Sequence, residues 1–290
     1  MTTSTAPRRR APVGDPFDRH IARVDTVATI VAPPKQWTEL RDRFDRMLDL
    51  LHTTPMRDRL AEAVVTGGAD EQIGQLWAAA LAEGAIGQRA DVIIAVRGEV
   101  YPRLVQLYSE VAAANYAKVG KQFDTVAGRF TTAAVAGNPE ADASALVSEP
   151  DPVRKGWLDA AVYAAELDRL TPVLQAAAEL CGIDTRDDTW LLPLVINTTG
   201  LHRRRVWEAW RVEGGRCGHW AALAGLGAQI RAADLDGFEP YRTPKPLIHK
   251  QFPIPGPNNR GIYRPEIIDP EDPDYTPPVE EPKRRRALGH

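Results

Sequence analysis

Two cysteines, three methionines and four serines are the scarcest residues of this 290-residue chain. Cys181 and Cys217 lie 36 positions apart. Two thiols cannot build a disulfide framework, so a reducing compartment is the expectation. No run of about 18 apolar residues occurs, which excludes a recognisable transmembrane helix. The N-terminal stretch has arginines but no apolar segment behind them, unlike a secretory signal. A cytoplasmic protein, or one inside an assembled particle, is expected.

The motifs of familiar chemistry are also missing. The sequence has no GxGxxG, no GxxxxGK[ST] and no GxSxG. Cys217-Gly218-His219 lacks the second ligand pair a metal site needs. Gly225-Leu226-Gly227 has no strand before it and reads as close helix packing. Accordingly no catalytic residue, cofactor, metal ligand or small-molecule substrate is nominated. A net charge of -3 speaks against a surface devoted to nucleic acid.

What is present is helical. Trp37, Leu40, Phe44, Met47, Leu48 and Leu51 recur at helical spacing. Pro55 opens a further helix that Gly67-Gly68 ends, and Asp70 is placed to cap the next. The longest element is expected from Glu99 to about Ala136, with Pro102 in its first turn. Its apolar step drifts from a strict heptad around Asn115, which favours an antiparallel bundle over a supercoiled zipper.

The expected fold is therefore mainly α: an elongated helical bundle in two parts, with an extended N-terminal arm and a Pro-rich, irregular C-terminal tail. The arm is residues 1–34, in which the apolar stretch Ile21–Val31 is suited to dock on the body as a short strand or helix, and the first helical part is residues 35–136. Residues 137–155 read as a linker, and residues 156–237 as the second part. In that part Thr171-Pro172 divides two helices, and a last helix runs from Cys217 to Ala233. Residues 238–290 form the tail, where prolines oppose helix and central strand alike.

Residues 190–212 resemble the helix-turn-helix pattern of DNA-binding proteins. A short apolar segment precedes Thr198-Thr199-Gly200-Leu201, and His202, Arg203, Arg204 and Arg205 follow. The resemblance implies a recognition helix headed by these four residues, with arginines on phosphates or guanine edges. It covers 23 residues and departs from the pattern at Pro193 and Ile196.

Other partner-contact candidates are Trp207 and Trp210, one helical turn apart, and two basic clusters. These are Arg8, Arg9 and Arg10 near the start, and Arg284, Arg285 and Arg286 behind Lys283. The functional expectation is a non-enzymatic structural or assembly protein. Its contacts are with protein partners or other copies, through helices and extended arms. A phage or mobile-element particle in a high-GC bacterial background is the expected setting. DNA binding through residues 190–212 is the alternative.

Overall fold

The computed structural model describes residues 14–52, 56–84, 86–254 and 262–271. The fold is mainly helical, as expected, with few strands. Its backbone is α5 (Ile86–Ala136), a helix of 51 residues. At 1.5 Å per residue it is about 76 Å long. It is longer than the Glu99 start suggested, because the short run Val92–Val96 belongs to it. Pro102 consequently sits inside the helix and not in its first turn.

Three groups of helices lean on α5 in succession. Its C-terminal half pairs with α6 (Asp151–Leu180). Tyr116, Val119, Phe123, Val126 and Phe130 of α5 bury against Ala160, Ala164, Leu167, Leu170 and Leu174 of α6. The chain reverses between the two helices, so they run antiparallel. Gly156 sets how closely they approach. A Cβ there would lie 2.8 Å from the Ala136 Cβ and 2.9 Å from the Ala133 carbonyl oxygen.

The middle of α5 carries α1 (Pro16–Ala28) and α2 (Lys35–His52). Here Phe17, Val24, Trp37, Phe44, Leu104, Leu107 and Tyr108 form a second core. The expected arm is corrected over residues 16–28, which are a docked helix that takes in most of the Ile21–Val31 stretch expected to dock and begins five residues before it. Asp15 caps it by accepting the Phe17 N–H at 2.9 Å, and Pro16 fits the first turn because its missing donor has no helical partner to lose. Phe17, His20, Val24 and Val27 recur at three- and four-residue steps and are buried.

Ahead of these lie α3 (Met56–Thr66) and α4 (Asp70–Gly84), of which α4 meets α5. These two pack on each other as a helical hairpin.

Residues 137–155 differ from a plain linker. Asp142 caps a 3₁₀ turn, Ala143–Ser148, that buries Leu146. Helix α6 begins at Asp151, inside that stretch, and continues through Thr171-Pro172 without a break. The α5–α6 pair spans the boundary drawn between residues 35–136 and 156–237.

The C-terminal region is built from short pieces: α7 (Asp188–Val195), β1 (Ile196–Asn197), α8 (Arg203–Trp210), α9 (Gly218–Gly225) and β2 (Gln229–Ile230). Strand β2 pairs antiparallel with β1. The last helix is shorter than the span Cys217–Ala233, because Gly227 turns the chain at φ +75°. The tail is not irregular throughout. Strands β3 (Ile248–Ile254) and β4 (Ile262–Ile268) form an antiparallel hairpin, in which Gln251 opposes Pro265 and Pro253 opposes Tyr263. A two-stranded ribbon leaves each strand one open edge, which is where proline is tolerated.

Candidate functional site

The four residues expected to head a recognition helix do so only in part. Helix α8 starts at Arg203, and the His202 ring Nδ1 accepts the Arg205 N–H at 3.4 Å, capping its first turn. A strand, β1, stands between α7 and α8 where a helix-turn-helix has only a tight turn. Arg204 points inward and is buried. Its guanidinium makes a bidentate pair with the fully buried carboxylate of Asp269 and donates to the Lys245 carbonyl oxygen. The Arg204 hydrogen bonds hold the Asp269 carboxyl below the usual carboxylate range. The expectation that Arg204 meets DNA is corrected: it locks the C-terminal hairpin onto α8. Arg203 lies 3.5 Å from Glu271, and Arg205 is exposed.

The tryptophans separate as well. Trp207 stacks on Tyr241 with ring planes 5° apart and centroids at 5.9 Å, and the Arg211 guanidinium lies 5.6 Å from the Trp207 ring centroid. Tyr241 donates its hydroxyl to the Arg203 carbonyl at 2.6 Å, and burial pushes the pKa of that hydroxyl up to about 12. Trp210 is a core residue and not a contact residue. It is buried against His219, at 4.6 Å between ring centroids, and Trp220. Arg8, Arg9, Arg10, Arg284, Arg285 and Arg286 lie outside the described residues.

A second polar knot closes the α5–α6 turn onto α9. Glu140 accepts the Arg216 and Cys217 backbone N–H groups at 2.8 and 2.7 Å. Arg216 donates to the Pro139 and Trp157 carbonyls and lies 3.2 Å over the Trp157 ring. Gly215 at φ +84° brings the backbone against the Glu140 carboxylate, a conformation and an approach no larger residue takes without strain.

Two open clefts flank this region. One, of about 720 Å³, is bordered by Tyr116, Gly120, Asp124, Arg231 and Asp234. There Asp124 accepts the Ala232 N–H at 2.7 Å and Tyr116 donates to the Ala233 carbonyl at 2.7 Å. These polar groups are thus engaged in holding β2 and the chain after it to α5. The other, of about 790 Å³, has walls of Ala134, Val135, Ala221, Ala222 and Gly225. Among the described residues no cluster of three or more His, Cys, Asp and Glu side chains is placed to hold a metal ion. No helix among them is long and apolar enough to cross a membrane.

The surface feature that stands out lies at the far end of α5. Val64 and Val65 of α3, Trp77 and Leu81 of α4, and Val92 and Ile94 of α5 are 56% to 85% exposed. The hairpin keeps Leu60, Ala63, Ile73, Leu76 and Ala80 at its shielded positions. Its other apolar positions are exposed: Ala61, Val64 and Val65 step by three and one along α3, and Trp77 and Leu81 by four along α4. The helical period of Ile73, Leu76, Trp77, Ala80 and Leu81 marks α4 in the sequence. Period alone does not distinguish a stripe facing the molecule from a neighbouring one facing out.

No protein-family model matches the chain, and no curated protein or solved structure is significantly similar to it.

Proposed function

We propose that the chain is a non-enzymatic structural or assembly protein that engages protein partners through its helices. The observation that carries this reading is the uncovered apolar end formed by α3, α4 and the start of α5. A helix with apolar residues all round belongs in an interior. Val92 and Ile94 lie on different sides of α5 and both face solvent. Trp77 adds the residue type that most often anchors a protein interface. The remaining length of α5 is occupied by α1, α2 and α6, so it serves as a rod that presents this end. The basic stretches Arg8–Arg10 and Lys283–Arg286 belong to the same proposal as further partner contacts, and a particle component as its setting.

Duplex binding through residues 190–212 is less well supported, because Arg204 is committed to Asp269 and Arg203 lies beside Glu271. Size-exclusion chromatography with light scattering, with and without a duplex DNA fragment at two salt concentrations, separates the readings. The proposal expects the mass to be unchanged by DNA. A complex that forms at low salt and dissolves at high salt would move the function to nucleic-acid binding.

A further inference from the structure

We infer that the uncovered end of the α3–α4 hairpin receives a basic amphipathic helix of a partner protein. The inference rests on the reading of this end as a contact surface and adds the partner's chemistry.

Area comes first. A fully exposed aliphatic side chain presents about 100 Å² and tryptophan about 200 Å². At their observed exposures the four hairpin residues Val64, Val65, Trp77 and Leu81 leave on the order of 320 Å² of apolar surface uncovered. Interfaces are a little under 60% apolar, so this is the apolar content of about 550 Å² per partner, the small end of specific interfaces and the scale of one docked helix.

Shape comes next. Two helices packed as a hairpin, each with a second apolar stripe, leave a groove along their length. A third helix completes such a pair by ridge-into-groove packing. Gly74 and Ala78 border Trp77 on α4, and a Cβ at Gly74 would meet nothing within 4 Å. A partner backbone can therefore come close beside the tryptophan.

Charge selects the partner. Among the described side chains of residues 58–95, Asp58, Glu62, Asp70, Glu71 and Asp91 are exposed carboxylates, and Arg59 is the one exposed cation. A two-fold contact between copies of this hairpin would set like charges opposite one another, which opposes a symmetric dimer here. A helix with an apolar stripe flanked by Lys and Arg meets both the stripe and its acidic border.

The test uses the full-length protein and three labelled synthetic helices of about eighteen residues. All carry the same leucine stripe, and their remaining positions are Lys, Gln or Glu. Fluorescence anisotropy reads binding. The Lys helix is expected to bind saturably and roughly tenfold or more tighter than the Glu helix, with Gln between them. Trp77→Gln should weaken the Lys helix roughly tenfold or more, whereas the pair Leu158→Gln and Val162→Gln, exposed on α6, should not. Replacing Asp58, Glu62, Asp70 and Glu71 by their amides should remove the preference for Lys while leaving the Gln helix bound. Equal binding of all three helices overturns the inference and leaves the contact surface standing. Binding of none overturns both. A dimeric mass that Trp77→Gln reduces to a monomer assigns the end to a second copy and overturns the inference.

Discussion

Acidification should weaken this protein through one buried histidine. His20 of α1 is 7% exposed, and its Nε2 accepts the Trp37 indole N–H at 3.3 Å. Tyr101 and Tyr108 of α5 stand edge-on to the ring at 6.1 Å between centroids, and Trp37 of α2 borders it. Burial, with Arg23 adding to it, lowers the imidazole pKa to about 4 from its ordinary 6.5. The unfolded chain therefore binds a proton between these values and the folded chain does not. Stability from this site is complete above pH 6.5 and falls as pH drops toward 4. Each tenfold difference in proton affinity between the folded and unfolded chain is worth about 1.4 kcal/mol. The loss is thus about 2 kcal/mol by pH 5 and about 3 kcal/mol by pH 4. Other groups titrate in this range, so the comparison is with His20→Gln, which keeps an acceptor for Trp37 and has no proton to gain. Urea denaturation followed by far-UV circular dichroism, from pH 8 to pH 4, gives the stability of each protein. The difference between them should be constant above pH 7 and change by about 3 kcal/mol by pH 4. A difference that does not change with pH, or an imidazole NMR signal titrating near 6.5, would refute the reasoning.

Asp269→Asn leaves the Arg204 charge buried beside a neutral partner, a loss of about 3–5 kcal/mol. Hydrogen exchange should show the amides of β3 and β4 losing protection while α5 and α6 keep theirs; equal loss throughout would mean that the pair supports the whole fold. Gly156→Ala forces α5 and α6 apart where a Cβ meets Ala136 and the Ala133 carbonyl, and should cost about 1–3 kcal/mol in denaturant unfolding. A neutral result there would show that the helices shift freely. Trp77→Gln should leave the unfolding free energy within about 0.5 kcal/mol of the parent. Its side chain is 59% exposed, and a large drop would place it in the folded core.

The helices with one strong apolar stripe were legible in the sequence. Leu104, Leu107, Val119, Phe123 and Phe130 lie buried along α5 as their spacing suggests. Prolines misled in both directions. Pro16 marks the start of α1, while Pro172 and Pro193 lie within α6 and α7, whose packing outweighs the lost hydrogen bond. The hairpin of β3 and β4 was hidden by the same residue type. Arg204 was unreadable for another reason. Its partner Asp269 lies 65 positions on, and nothing local separates a buried arginine from the exposed Arg205 beside it. The uncovered end was half legible: its residues are apolar and helically spaced in the sequence, but only tertiary packing reveals which stripe lacks a neighbour.

The central claim is that the end of α5 bearing α3 and α4 is where the protein meets another. The direct measurement places a photo-crosslinking amino acid at Val65, and in a parallel protein at the exposed Arg103 on the middle of α5, and irradiates the producing cells. The account predicts a discrete protein adduct from Val65, absent from Arg103 and lost on adding Trp77→Gln. Adducts that are absent from Val65, or the same from both positions, would contradict it.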